Sequence, residues 1–354
     1  MKLEKLRKEI DMIDAEILQL LNKRMETTLV AKKLKEKTED KKREDEVLER
    51  IKKKANGVLG QKFSEDLFRR IINESKELQN KEMKLIGFQG EHGAYSEVAA
   101  REFDKSSVSI AQHEFADVFD AVTADELDFG IVPVENSLVG SIDQVNNLFI
   151  ETELRVVGEI KLPIHHCLLS LPDTDYKDIK VVYSHPAALG QCRGIIERNK
   201  LEAKPYYDTA GAALMLTRSR PAGAAVIASK LCAELYDLEI IKENIEDNKK
   251  NTTRFLVLAK HGVDNGNKCS IIFSTVHKAG ALFRVLKAFS DVGINLTRIE
   301  SMPILDDPGN YAFLLDFQGS DKDKKVIETL EKVKQETVMF KFLGCYKEAK
   351  EAKK

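Results

Sequence analysis

Residues 3–37 contain neither proline nor glycine, and their apolar positions Leu3, Leu6, Ile10, Ile13, Ile17, Leu20 and Leu21 recur at intervals of three and four. That spacing predicts one amphipathic helix. At ~1.5 Å per residue it reaches roughly 50 Å, more than a lone domain of eighty residues covers on one side. A chain built around such a helix therefore needs a second chain against it.

The rest of the first eighty residues continues the helical pattern. Val47, Leu48 and Ile51 mark a helix over 42–54, ended by Asn56-Gly57. A third is predicted to start after Ser64 as N-cap, with Glu65 and Asp66 in its first turn and Leu67, Phe68, Ile71, Ile72 and Leu78 as its core stripe. Helical spacing puts Arg24, Thr28, Ala31 and Lys35 on one face, and Ser75 and Gln79 one turn apart. Two cations on one face also describe an ordinary solvated helix.

The collection is more specific than its members. Through 6–11, Asn22-Lys23-Arg24, Lys35, Arg43-Glu44-Asp45, Leu48-Glu49-Arg50 and 71–75, the segment resembles the all-helical chorismate mutase domain. The resemblance implies an intertwined dimer and a unimolecular rearrangement of a dianion that needs no nucleophile, cofactor, metal or proton transfer, only a folded substrate and stabilised charge on the breaking ether oxygen. It implies that Arg24, Arg43 and the partner chain's copy of Arg7 hold carboxylates, that Lys35 and Gln79 address the ether oxygen, and that Asp40, Glu44 and Ser75 hold the substrate hydroxyl and ring.

With 354 residues, two or three domains are expected. A formal charge of −2 gives no reason to expect nucleic acid. The five cysteines are scattered without a Cys-x-x-Cys pair, and no apolar run approaches ~18 residues, which argues against a disulfide framework, a zinc site or a membrane span and for the cytoplasm.

After a polar joint at 79–82 the pattern changes to short strands alternating with helices: strands at 84–88, 129–134, 156–160, 181–183 and 224–228, and a helix at 95–103. This is an α/β domain over 83–260, in two lobes with a cleft between them. Gly87, Gly90 and Gly93 lack the dinucleotide-binding spacing, but a glycine loop entering a helix can hold a carboxylate. At the far end stands Asn251-Thr252-Thr253-Arg254-Phe255, a hydroxyl beside a guanidinium; as a bare motif it reads first as a turn whose Thr and Arg satisfy the backbone.

Six stretches, in order, resemble the prephenate dehydratases: 86–97, 132–141, His165-His166-Cys167-Leu168, 184–193, Asp208-Thr209-Ala210, and 245–247 with 251–255. The resemblance implies a periplasmic-binding-protein-like fold and loss of water and carbon dioxide from prephenate. Thr253 is expected at the leaving hydroxyl as hydrogen-bond donor or relay, with Arg254 and Phe255 shaping the site. Asn136, Ser137, Gln191 and Thr209 suit carboxylate and carbonyl oxygens, with loop capping as the alternative. His166 and His185 read as structural, and Cys167 and Cys192 as small core residues.

Beyond a linker at 261–267, the order strand, helix, strand, strand, helix, strand over 270–276, 281–292, 295–303, 311–317, 323–335 and 338–346 is a ferredoxin-like α+β unit, with a turn at 306–310. Through 277–282 and 293–301 it resembles the ACT domain, here placed at 268–348. The resemblance implies that Gly280, Ala281 and Leu282 lie close to a bound amino acid, with Glu300 and Ser301 facing it across a subunit interface. Met302 stands where the family commonly has arginine, so weakened or altered phenylalanine feedback is expected.

The whole chain thus reads as a mutase domain over 1–82, a dehydratase domain and a regulatory domain. Together they would carry chorismate through prephenate to phenylpyruvate under phenylalanine control, as a homodimer or higher oligomer. A catalytically silent ligand sensor and an arogenate-preferring dehydratase are the alternatives.

Overall fold

The computed structural model describes residues 2–35, 40–172, 174–304 and 311–349. The predicted turn at 306–310, residues 36 and 37 of the first helix and the last five residues lie outside them.

Three helices open the chain: α1 (Lys2–Lys33), α2 (Lys41–Lys54) and α3 (Gln61–Asn80). The side chain of Asp40 caps α2 by accepting from the Arg43 amide at 2.9 Å. Contrary to expectation, α3 starts three residues before Ser64; Gly60 is its N-cap, and Ser64 and Glu65 lie inside the helix. Gln61, Lys62 and Phe63 carry no helix-breaking feature, so the helix extends back to the bend over 57–60, which Gly57 and Gly60 bound. Leu67, expected in the core stripe, is 41% exposed.

Helix α1 is an unusual surface. Its residues Leu3, Leu6, Ile10, Ile13, Ile17 and Leu20 are each about half exposed or more. Farther along, Leu29 is buried in one cluster with Leu85 and Ile110, and Lys33 pairs with Asp128 at 2.8 Å. The helix thus runs from an open apolar stripe to firm anchorage on the next domain.

That domain has two lobes. The first holds β1 (Leu85–Gln89), α4 (Tyr95–Phe103), β2 (Val108–Gln112), α5 (Phe115–Thr123), β3 (Phe129–Asn136), β4 (Gly140–Ser141), α6 (Asp143–Glu151) and β5 (Arg155–Pro163). The chain then crosses to the second: β6 (Cys167–Ser170), β7 (Val181–Ser184), α7 (Pro186–Gln191), α8 (Arg193–Arg198), β8 (Glu202–Pro205), α9 (Thr209–Ser219), β9 (Ala224–Ala228), α10 (Lys230–Tyr236) and β10 (Glu239–Lys242). It returns as β11 (Thr252–Ala259), which inserts antiparallel between β3 and β5 and completes the sheet order β2-β1-β3-β11-β5. The second sheet runs β10-β6-β9-β7-β8. One apolar cluster, including Phe88, Ile131 and Phe255 from the first lobe and Leu169 and Val226 from the second, joins the lobes at their base.

The third unit contains β12 (Lys268–Ser274), α11 (Ala281–Ser290), β13 (Leu296–Pro303), β14 (Tyr311–Gln318), α12 (Lys324–Gln335) and β15 (Met339–Tyr346), with sheet order β13-β14-β12-β15. Period-two alternation gives this sheet two apolar faces. Ile271, Phe273 and Phe317 pack under the helices with Val285 and Phe289. Ile272, Leu314, Leu343 and Tyr346 pack instead on the dehydratase sheet, against Val156, Leu256 and Leu258. No helix among the described residues is long and apolar enough to cross a membrane.

Candidate active sites

A cavity of about 340 Å³ lies among the three N-terminal helices, lined by Arg24, Lys35, Asp40, Arg43, Glu44, Ser75 and Gln79. Arg50 and Lys76 join them; sequence reasoning did not place either in the site, although Arg50 lay within a matched stretch. Counting the charged lining residues gives five cations, Arg24, Lys35, Arg43, Arg50 and Lys76, against the two carboxylates Asp40 and Glu44. The surplus suits a dianion.

Several of these side chains are already positioned. Arg24 donates to Ser75 Oγ, which in turn donates to the Ile71 carbonyl at 2.8 Å. Burial lowers the pKa of Arg24. Glu44 pairs with Lys76 at 2.7 Å. Gln79 Nε2 donates to the Thr28 carbonyl at 3.0 Å, which uses one of its two amide hydrogens. Arg7 is elsewhere: it lies on the exposed half of α1, ~25 Å along the helix from Arg24, with Glu4 3.8 Å away. A single chain does not bring Arg7 to this cavity.

The second site is built on β11. Thr253 stands opposite Asn136 of β3, and Asn136 Nδ2 donates to Thr253 Oγ1 at 2.9 Å and to Asn251 Oδ1 at 2.8 Å. Asn251 Nδ2 donates to Gln191 Oε1 at 2.9 Å, across to the second lobe. His166 Nε2 lies 2.8 Å from the same Gln191 oxygen, and its Nδ1 lies 2.8 Å from the Tyr95 hydroxyl. Glu246 holds the adjoining backbone, accepting from His166 N at 2.9 Å and pairing with His165 Nδ1 at 2.8 Å. Burial pushes the pKa of His166 down, which favours the neutral ring.

Strand alternation corrects one expectation. Thr253 and Phe255 face one side of β11, whereas Arg254 faces the other with Leu256 and Leu258. Arg254 is buried against the regulatory domain, pairing with Asp316 at 2.6 Å and with Glu159, and donating to the Tyr346 hydroxyl at 3.1 Å. Its guanidinium is therefore consumed at a domain junction. Phe255 is 1% exposed in the core beneath Thr253, where it supports the strand and does not wall the cleft.

The other candidates divide. Ser137 Oγ donates to the Lys250 carbonyl at 2.9 Å and accepts from the Thr252 amide at 3.0 Å, which pins its loop to the start of β11. Thr209 begins α9 and is buried. Its neighbour Asp208 accepts from the Glu91 amide at 3.0 Å, fastening the glycine loop to the second lobe. In that loop Gly93 has φ 93°, and a Cβ there would meet Cys232 Sγ at 2.6 Å. His185 caps α7, accepting from the Ala187 amide at 3.2 Å. Two residues that sequence reasoning quoted only inside motifs prove central: Asn251 and Tyr95.

In the third unit Gly280 takes φ 81° as N-cap of α11, followed by buried Ala281 and partly buried Leu282. Along β13, Glu300 and Met302 share a face with Arg298, and Ser301 lies on the other, exposed face. Met302 is 1% exposed within the cluster at the junction with the dehydratase sheet, so this departure from the family pattern falls on a domain interface.

Fold and sites together define a fused enzyme: a helical domain that binds a small dianion, a two-lobed domain with a hydroxyl-headed hydrogen-bond network, and a ferredoxin-like domain docked behind the second site. Comparison with known proteins agrees domain by domain. The family described as chorismate mutase type II matches residues 6–80, prephenate dehydratase matches 86–263, and the ACT domain matches 270–335. A bifunctional chorismate mutase/prephenate dehydratase of Aquifex aeolicus is 35% identical over 98% of both chains. Arogenate dehydratase 2 of Petunia hybrida is 36% identical over 74% of this chain and 71% of its own. A solved prephenate dehydratase of Arthrobacter aurescens, in complex with L-Phe, covers 75% of this chain and 90% of its own at 29% identity and a TM-score of 0.68. The chain belongs to the bifunctional chorismate mutase/prephenate dehydratase family.

Proposed function

We propose that this chain rearranges chorismate to prephenate in the helical cavity and converts prephenate to phenylpyruvate in the interlobe cleft, under phenylalanine control. One observation carries the reading: the expected mutase residues of one chain line a single cation-rich cavity, while Thr253 heads a separate network on another domain.

In the cavity, Arg24 and Arg43 hold the two carboxylates and fold the substrate. Lys35 and the remaining Gln79 amide hydrogen stabilise the negative charge that grows on the ether oxygen. The open stripe on α1 supports a dimer in which the partner chain covers Leu6, Ile10 and Ile13 and contributes its own Arg7. In the cleft, the bond between ring carbon and carboxylate breaks and its electrons enter the ring, which expels the hydroxyl at the opposite ring carbon. Carbon dioxide and, with one proton, water leave. Thr253 Oγ1 already accepts from Asn136, so its own hydrogen is available to the leaving oxygen.

Phenylalanine binding at Gly280 and, from a neighbouring subunit, at Glu300 and Ser301 is the proposed control, in a cytoplasmic enzyme. The Petunia relative favours a second reading in which arogenate is also accepted; competition between the two substrates decides it. To test the site assignments, Arg24→Ala should abolish the mutase and spare the dehydratase, and Thr253→Ala should do the reverse. Loss of both activities together in either variant, with the fold intact, contradicts the separation of sites.

A further inference from the structure

We propose that Asn251 is a positioning residue for the dehydratase: it carries the hydrogen-bond direction fixed at Asn136 across to Gln191 and His166 of the second lobe, and so holds the lobes together around a Thr253 hydroxyl whose hydrogen is left for the substrate. The proposal rests on the functional reading above and adds to it a residue that touches no reacting atom.

Backbone amides fix the direction. Asn136 Oδ1 accepts from the amides of Leu138 at 3.0 Å and Val139 at 3.1 Å, and an amide N–H can only donate. The other end of that side chain is therefore its NH₂ group, whose two hydrogens go to Thr253 Oγ1 and Asn251 Oδ1. Asn251 must then present its NH₂ to Gln191, and Gln191 Oε1 must accept both from it and from His166. His166 consequently carries its hydrogen on Nε2, and the Nδ1 of the neutral ring shares the one Tyr95 hydroxyl hydrogen with the His165 carbonyl, each 2.8 Å from it. Reversing Asn251 alone would set NH₂ against NH₂ on one side and oxygen against oxygen on the other. Among the described residues, the Thr253 hydroxyl hydrogen and the Gln191 amide hydrogens meet no protein acceptor; these are the donors the network leaves over.

The position of Asn251 suits this task. It is 1% exposed, directly precedes β11, and its carbonyl accepts from the Ile164 amide at 2.9 Å on the other interlobe crossing. Its side chain links Asn136 of the first lobe to Gln191 of the second, so the orientation of Gln191 and His166 beside Thr253 depends on Asn251.

Asn251→Asp and Asn251→Ala separate orientation from mere support. In Asn251→Asp both side-chain oxygens accept, so Gln191 must turn its NH₂ toward residue 251, and its oxygen no longer faces His166. His166 then has to accept at Nε2 and carry its hydrogen on Nδ1, donating to Tyr95. Nitrogen NMR of histidine-labelled protein at pH 8 should show the His166 hydrogen on Nε2 in the wild type and on Nδ1 in Asn251→Asp. Asn251→Ala should lower dehydratase kcat by ~10–100-fold with KM changed less than ~3-fold, while mutase activity, the internal control for folding, is unchanged. An unmoved His166 hydrogen in Asn251→Asp, or full dehydratase kcat in Asn251→Ala, overturns the proposal. A wild-type chain without dehydratase activity refutes the functional reading instead, and the wild-type position of the His166 hydrogen would still report whether the network runs as described.

Discussion

Replacing Arg254 with methionine should destabilise the junction between the dehydratase and regulatory domains without removing dehydratase chemistry. Arg254 is 7% exposed, and Asp316, its partner at 2.6 Å, is fully buried. Removing one member of a buried ion pair costs about 3–5 kcal/mol, because the remaining charge stays out of water uncompensated. The structure places this case near the lower end. Glu159 keeps Lys268 at 2.9 Å and the Ala349 amide at 3.1 Å, so its charge stays compensated. Asp316 keeps a hydrogen bond from Ser270 Oγ at 2.5 Å, and the cost falls mainly there. About 3 kcal/mol corresponds to a fall of roughly 6–12 °C in the unfolding midpoint of a unit of this size. The double variant Arg254→Met/Asp316→Asn, which removes both charges, should recover at least about half of that. The assay is thermal unfolding by circular dichroism, with dehydratase kcat measured well below the midpoint and expected within ~3-fold of wild type. A ~100-fold loss of kcat with an unchanged midpoint would refute the reasoning, since the guanidinium would then have to reach the substrate.

Mixing Arg7→Ala and Arg24→Ala chains should restore about a quarter of wild-type mutase activity, because half the dimers are mixed and each mixed dimer holds one intact site; no recovery after exchange of subunits would mean that Arg7 is not shared. His92 bridges Glu26 of α1 at 3.2 Å and Glu97 of α4 at 3.3 Å. Burial alone would lower its pKa, but the hydrogen bonds to these two carboxylates outweigh it and push it up to about 9. A raised folded pKa means that the bridge stabilises fully below the unfolded value near ~6.5 and loses its contribution, at most about 3 kcal/mol, as pH rises through 9. The gap in midpoint between wild type and His92→Gln should therefore close between pH 6 and pH 10, and a constant gap contradicts the bridge. Met302→Arg buries a guanidinium at an apolar junction and should cost about 3 kcal/mol by chemical denaturation; no cost would mean that this face is open.

Strong periodicity made much of the architecture legible. The helices of the first domain and all six elements of the third lie within a few residues of their expected places, because long amphipathic patterns and a hairpin order leave few alternatives. Strands such as β8, Glu202-Ala203-Lys204-Pro205, escaped notice: it is a short edge strand with charged residues and no apolar alternation. Leu67 and Ser64 show that a helix start is weakly encoded when a glycine turn precedes it.

The sites were legible as residue types and less so as directions. The sequence puts Arg254 beside Thr253, yet adjacent residues of a strand face opposite ways, and only the docked regulatory sheet reveals what Arg254 meets. Asn251 carries no chemical signal of its own; its importance comes from Asn136 and Gln191, 115 and 60 residues away in the chain.

The central claim is that two chemistries occupy separate sites in one chain. Purified protein supplied with chorismate alone, and followed for chorismate loss and phenylpyruvate formation with and without phenylalanine, tests it most directly. The account predicts conversion through to phenylpyruvate and inhibition by phenylalanine. Prephenate accumulating without phenylpyruvate would contradict the assignment of the cleft, and unconsumed chorismate would contradict that of the helical cavity.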